Sequence, residues 1–240
     1  MVATGDILHN HIKSLWIIVT LCFWHLSAFC ATQSDMQTWL NVTAVGKFHT
    51  DKTTSRLRYW LEGQERIGDD SRHVTQTMLR PGLGYALTEN LSMWLGYGWI
   101  HTSYPLTNHP FEEDRIWQQL LWSKTNEYLT LTSRTRIEQR FLENNPKTAY
   151  RARQLLKISV PLKAHPNFSL VCSDEIFWHK NNFIGRNGRG FDQNRIFAGL
   201  GYQITPTVTT EIGYMNQYIH RFGVPNFLAN IVSITFLLSL

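Results

Sequence analysis

Between residues 127 and 142 polar and apolar side chains alternate, with Ser133, Thr135 and Gln139 diluting the apolar parity. Tyr128, Thr130, Thr132, Arg134, Arg136, Glu138 and Arg140 share one parity, and Leu129, Leu131, Ile137 and Phe141 share the other. Successive side chains of a β-strand point to opposite faces, so a period of two predicts a strand with one polar and one apolar face. Residues 54–67 follow the same rule, with Arg56, Arg58, Glu62, Gln64 and Arg66 opposing Leu57, Tyr59, Leu61 and Ile67. In residues 191–204, Gln193, Arg195, Gly199, Gly201 and Gln203 oppose Ile196, Ala198, Leu200 and Tyr202. A wall built of such strands needs a different solvent on each side.

Alternation of this kind predicts eleven strands in all, the others being 36–48, 72–87, 91–104, 113–124, 149–162, 167–180, 207–220 and 227–240. Short connections carry turn residues, as in Thr88-Glu89-Asn90, Ser123-Lys124-Thr125-Asn126, Lys163-Ala164-His165-Pro166 and Thr205-Pro206-Thr207. Longer, more polar connections at 104–113, 142–149, 180–191 and 220–226 alternate with them. Tight turns at one end and longer loops at the other are the pattern of a transmembrane barrel. A local echo, Gly82-Leu83-Gly84-Tyr85 against Gly199-Leu200-Gly201-Tyr202, indicates two hairpins in similar environments.

A soluble sandwich also alternates, with its apolar face turned inward. Composition separates the two cases. Charged residues are 17% of the chain and aromatic residues 13%. Charge is therefore sparse, yet Arg and Glu crowd single strand faces, and no helix is predicted after residue 31 to cover the apolar ones. Lipid covers them if they point outward, and closure of the sheet removes edges that hydrocarbon does not tolerate. The expected fold is all-β, an antiparallel up-and-down transmembrane barrel over 32–240. Val232, Ile234, Phe236, Leu238 and Leu240 alternate to the last residue, as the final strand of such a barrel does. An even strand number is required of a barrel whose two chain ends both lie in the periplasm. Twelve strands, or alternatively ten with 36–48 left over, are therefore expected.

Residues 1–31 carry the pattern of a cleaved signal peptide. Lys13 precedes an apolar run from Leu15 to Trp24, and Ala28, Cys30 and Ala31 supply small residues for cleavage. The run is shorter than the ~20 residues of a spanning helix. Cleavage removes Cys22 and Cys30, leaving Cys172, so no intramolecular disulfide is expected. Asp6 leaves with Lys13, and the formal net charge stays at +5.

Several strings together resemble the bacterial outer-membrane family known as domain of unknown function 2490. They are Arg80-Pro81-Gly82-Leu83-Gly84-Tyr85, Gly96-Tyr97, Glu113-Asp114-Arg115-Ile116-Trp117-Gln118-Gln119 and Ser133-Arg134-Thr135-Arg136-Ile137-Glu138-Gln139-Arg140. Tyr150-Arg151-Ala152-Arg153, Asp174-Glu175-Ile176-Phe177, Phe191-Asp192-Gln193-Asn194-Arg195 and Glu211-Ile212-Gly213-Tyr214 complete the set. The resemblance implies a Gram-negative outer-membrane barrel and no established activity.

On this fold the parity rule places Arg58, Glu62, Arg80, Arg115, Arg134, Arg136, Glu138, Arg140, Arg151, Arg153, Glu175, Arg195 and Glu211 in the lumen. Arg forks pair bidentately with carboxylates, so a structural bracing network is one expectation. The nine Arg against four Glu in this set allow a second, a narrow passive channel preferring small anions. A third is an outer-leaflet lipid acyl hydrolase. His101-Thr102-Ser103 resembles the His-x-Ser of outer-membrane phospholipase A and of lipid A deacylase, but Tyr104-Pro105 follows the serine where phospholipase A has Asn-Gly. A fourth is surface binding through the loops 104–113 and 180–191. Expected partners are membrane lipid, lipopolysaccharide and the barrel-assembly machinery, with small anionic solutes. No cofactor, metal centre or nucleic-acid partner is expected, because the histidines lack metal spacing and Gly185–Gly190 lacks the strand–helix context of a nucleotide site.

Overall fold

The computed structural model describes residues 32–50, 53–143, 145–182 and 188–240, without the side chains of 49, 50 and 53–55. The expected signal peptide lies outside the described residues. The eleven strands are β1 (Thr32–Thr50), β2 (Thr53–Gly68), β3 (His73–Ala86), β4 (Leu91–Thr102), β5 (Phe111–Thr125) and β6 (Thr130–Leu142), followed by β7 (Asn145–Leu162), β8 (His165–His179), β9 (Gly190–Thr205), β10 (Val208–Ile219) and β11 (Asn226–Ser239). They form one closed barrel in chain order.

Each strand pairs antiparallel with the next, but the barrel closes on a parallel pair, β1 with β11, running from Thr32↔Asn226 to Val45↔Ser239. The expectation of twelve or ten strands is corrected to eleven. The even-number rule assumes antiparallel neighbours throughout, and one parallel pair lifts it. The strand left over in the ten-strand count is β1, which fills the gap between β2 and β11. Leu240 prolongs the seam, its amide donating to Val45 O at 2.9 Å and its carbonyl accepting from Lys47 N at 3.1 Å.

Three of the four short turns share one device. Thr88 Oγ1 accepts from Asn90 N and Leu91 N, Asn126 Oδ1 from Tyr128 N and Leu129 N, and Thr205 Oγ1 from Thr207 N and Val208 N. These side-chain acceptors take the place of missing ladder partners. At the opposite rim the β2–β3 turn places Asp69, Asp70 and Ser71 at φ of 56°, 55° and 60°. Left-handed backbone costs a non-glycine residue roughly 1–2 kcal/mol. Asp35 of β1 offsets part of that by accepting from Asp69 N at 3.2 Å and Asp70 N at 3.0 Å.

The oily residues look outward. Leu57 is 53% exposed, Leu83 63% and Leu200 49%, whereas Arg136 on the other parity is 1% exposed. The outward face also carries polar side chains that satisfy one another. Gln118 and Gln139 exchange hydrogen bonds of 3.1 and 3.0 Å, Tyr97 donates to Asp114, and Asn194 to Asp174.

Inside, inward-facing glycines make room for rings. A Cβ on Gly82 would sit 2.5 Å from Trp117, and one on Gly84 2.4 Å from Trp94. Trp60, Trp94 and Trp117 form one interior apolar cluster, and Trp39, Phe227, Ala229 and Ile231 form another.

Candidate functional site

The interior charges are brought together by cross-strand register, because neighbours on one face lie about 4.5–5.5 Å apart at Cβ. Glu138 on β6 is the centre. Its Oε2 accepts from Arg151 Nε at 2.9 Å and Nη2 at 2.6 Å, and its Oε1 from Arg153 Nη1 at 2.7 Å. Arg153 reaches on to Glu175 with Nη2 at 2.8 Å, and Glu175 also accepts from Arg134 at 2.8 Å. Arg195 stands 3.8 Å from Glu175, beyond hydrogen-bond distance. Nearer the loops, Glu113 takes Arg115 at 2.6 Å and Arg140 at 2.5 Å. Arg80 Nη2 donates to Glu62 at 2.7 Å, and Lys157 Nζ lies 2.5 Å from Glu211. Asp192 is shared by Arg151 at 3.5 Å and His179 at 3.2 Å.

All thirteen lumen candidates fall on the inward parity of their strands, and twelve of them join these contacts. Arg136 does so through Gln119 Oε1, which accepts from its Nε at 2.9 Å and its Nη2 at 2.7 Å. Arg58 is half-buried, opposite Lys47 and Gly84, and takes no part in these pairs. The structure adds Arg66, Glu113, Lys157 and Asp192. Parity was available for three of these: Arg66 matches Arg58 and Glu62, Glu113 matches Arg115, and Lys157 matches Arg153. No such signal exists for Asp192. A register shift between Phe177 and Trp178 buries both Asp192 and Gln193, breaking the alternation.

The guanidinium planes lie over rings. Arg66 Cζ is 3.7 Å from the centre of the Trp39 ring and Arg195 Cζ 5.0 Å from the same ring. Arg136 Cζ is 4.5 Å from Trp117, and Arg153 Cζ is 4.6 Å from Phe177. Such contacts contribute about 2 kcal/mol or more where desolvated. They replace part of the hydration that burial removes.

Pairing leaves an excess of positive charge. Arg66, Arg80, Arg115, Arg134, Arg136, Arg140, Arg151, Arg153, Lys157 and Arg195 face Glu62, Glu113, Glu138, Glu175, Asp192 and Glu211, ten cations against six carboxylates. Two chambers remain along the interior. The one toward the short turns has a volume of about 170 Å³ and the one toward the loops about 200 Å³. They meet at Trp39, Arg80, Arg153 and Arg195, which line both. Seven guanidinium groups and one carboxylate, Asp192, line the chamber nearer the loops.

His101 and Ser103 lie at the loop end of β4. The His101 ring stacks at 6.2 Å on Trp99, and Ser103 Oγ donates to Val74 O at 2.8 Å. The serine hydroxyl is thus held by a backbone carbonyl and not by the histidine. Among the described residues no group of three or more metal-ligating side chains is assembled.

The family model described as a protein of unknown function, DUF2490, matches residues 36–227. The chain belongs to that family. An uncharacterised protein of Methylorubrum extorquens is 31% identical over 206 residues, covering 84% of this chain and 87% of its own. Among solved structures, the NanC porin is similar with a TM-score of 0.47 at 12% identity, covering 80% of this chain and 90% of that one. LpxR from Salmonella typhimurium gives 0.42 at 10% identity, over 76% and 83% of the two chains. OmpT of Vibrio cholerae gives 0.39 at 11% identity, over 71% and 60%. These are likenesses of overall shape.

Proposed function

We propose that this DUF2490 barrel resides in the outer membrane of a Gram-negative cell and serves there as a narrow passive conduit with a preference for small anions. In this reading residues 1–31 are removed as a signal peptide, and the barrel-assembly machinery inserts the wall into lipid and lipopolysaccharide. The lipid-facing set of leucines, isoleucines and aromatic residues supports membrane residence.

The observation that carries the anion preference is the lining of the loop-side chamber, seven guanidinium groups and one carboxylate, with Arg66 and Arg195 lacking any carboxylate within hydrogen-bond distance. A ring of cationic side chains in a low-dielectric wall concentrates anions and repels cations. The chambers are small. At about 30 Å³ per water, each holds several waters, which restricts passage to ions and solutes of that scale. The same smallness supports the alternative of a braced wall that conducts nothing.

Planar-bilayer recording separates the two. Purified, folded protein in a potassium chloride gradient is expected to give small ohmic steps with a reversal potential on the chloride side of zero. Bilayers that stay silent with demonstrably folded protein would leave the brace and remove the conduit. Fractionation of the envelope, with the protein in the outer-membrane pool, tests the location separately.

A further inference from the structure

Trp39, on β1, stands where the two chambers meet, with Arg66 at 3.7 Å from the ring centre and Arg195 at 5.0 Å. Neither guanidinium has a carboxylate in hydrogen-bond contact. Arg66 gives Nη1 to Gln76 and Nη2 to Gln64, both neutral amide oxygens, and its Nε has no partner and no access to solvent. Arg195 donates Nε and Nη2 to the neutral amide oxygen of Gln217 at 3.2 Å each, and its nearest carboxylate is Glu175 at 3.8 Å, already engaged by Arg134 and Arg153. Arg80, lining both chambers beside them, pairs with Glu62 through Nη2 and leaves Nε unpartnered and buried.

Three guanidinium groups thus share one small space with a single direct carboxylate contact between them. A buried charge without a counter-charge costs several kcal/mol. A buried donor left without a partner adds to that cost. One bound anion would relieve both. The fork of Arg matches oxyanions with two or more oxygens, carboxylate or phosphate, better than a spherical halide. The chamber volume of about 200 Å³ admits such a group on a small molecule.

We infer that the Arg66–Arg80–Arg195 cluster at Trp39 is a binding site for a small oxyanion. The inference deepens the anion-conduit reading, but equilibrium binding does not require conduction. The barrel, folded in detergent micelles, is titrated with inorganic phosphate, with acetate and with chloride at constant ionic strength. Urea midpoint and tryptophan fluorescence are followed.

Phosphate, acetate or both should raise the midpoint saturably where chloride does not, and should change the fluorescence of wild-type protein but not of Trp39→Phe. Arg66→Gln should weaken the effect at least tenfold. Arg66→Lys, which keeps the charge without the fork, should weaken it by less. Equal midpoints in all three salts for the wild type would overturn the site, with no variant needed. Saturable stabilisation that survives Arg66→Gln and Arg195→Gln undiminished would overturn it too. Binding without bilayer conductance would remove the conduit and leave the site. Anion-selective conductance without saturable binding would do the reverse.

Discussion

Replacing Glu138 by Gln tests how dry the lumen is. Glu138 is 1% exposed and accepts three short hydrogen bonds, two from Arg151 and one from Arg153. Gln keeps the shape but removes the charge and turns two N–H donors toward guanidinium donors. Breaking a buried ion pair from one side costs about 3–5 kcal/mol in a dry interior. Arg153 retains Glu175 at 2.8 Å and Arg151 retains Asp192 only at 3.5 Å, so the lower end, about 3 kcal/mol, is expected. Glu211→Gln supplies the comparison. Its partner Lys157 is 23% exposed at the side chain, and the loss should be about 1 kcal/mol or less.

The assay is reversible urea unfolding in phosphatidylcholine vesicles, read by tryptophan fluorescence. Removing the orphaned partner should recover part of the loss, so Glu138→Gln with Arg151→Gln should be more stable than Glu138→Gln alone. If Glu138→Gln and Glu211→Gln cost the same, both under about 1 kcal/mol, water reaches the whole network. The bracing argument then fails.

Three further outcomes are expected. Leu95, 58% exposed on β4, should tolerate Arg poorly in vesicles, at a cost of about 2–4 kcal/mol if it lies at the bilayer midplane; under about 1 kcal/mol by the same unfolding assay would deny it contact with hydrocarbon. Gly96→Ala places a Cβ 2.1 Å from Trp117 and 2.6 Å from Pro81 O, and should lower stability by roughly 1–3 kcal/mol, whereas Gly63→Ala, with its nearest atom at 3.8 Å, should be near neutral. Asp35→Ala should cost about 1–3 kcal/mol and speed hydrogen exchange at the Asp69 and Asp70 amides, which it holds in their left-handed turn; unchanged exchange at both would mean the turn stands without it.

The wall was legible because a strand face is a local property. Arg134, Arg136, Glu138 and Arg140 need only their own parity to declare a common side, and each of the eleven strands overlaps an expected stretch. Closure was not legible. A hairpin turn announces the pairing of neighbours, but nothing local couples Thr32–Val45 to Asn226–Ser239, so a rule about even counts stood in for an observation. Register shifts hid Asp192 for a related reason, since one extra residue inverts parity for everything beyond it. Trp60 and Trp94 shared parity with inward residues, yet tryptophan in a membrane barrel is ordinarily assigned to the interfacial girdle. Glycines at 82, 84 and 96 were the available sign that rings turn inward there.

Ion-pair partners are less local still. Arg134 finds Glu175 at a separation of 41 residues, and Lys157 finds Glu211 at 54. These partnerships are set by how far adjacent strands are staggered, and stagger is a property of the closed barrel. The excess of Arg over Glu was visible in the sequence, but its location was not. Closure decides that part of the excess, Arg66 and Arg195, gathers around Trp39 while Arg136 is held by Gln119 beside Trp117, because the carboxylates of β6 and β8 are already saturated by Arg134, Arg151 and Arg153. The chain therefore encodes a surplus of cation strand by strand, and the barrel's circumference determines where that surplus lacks a counter-ion.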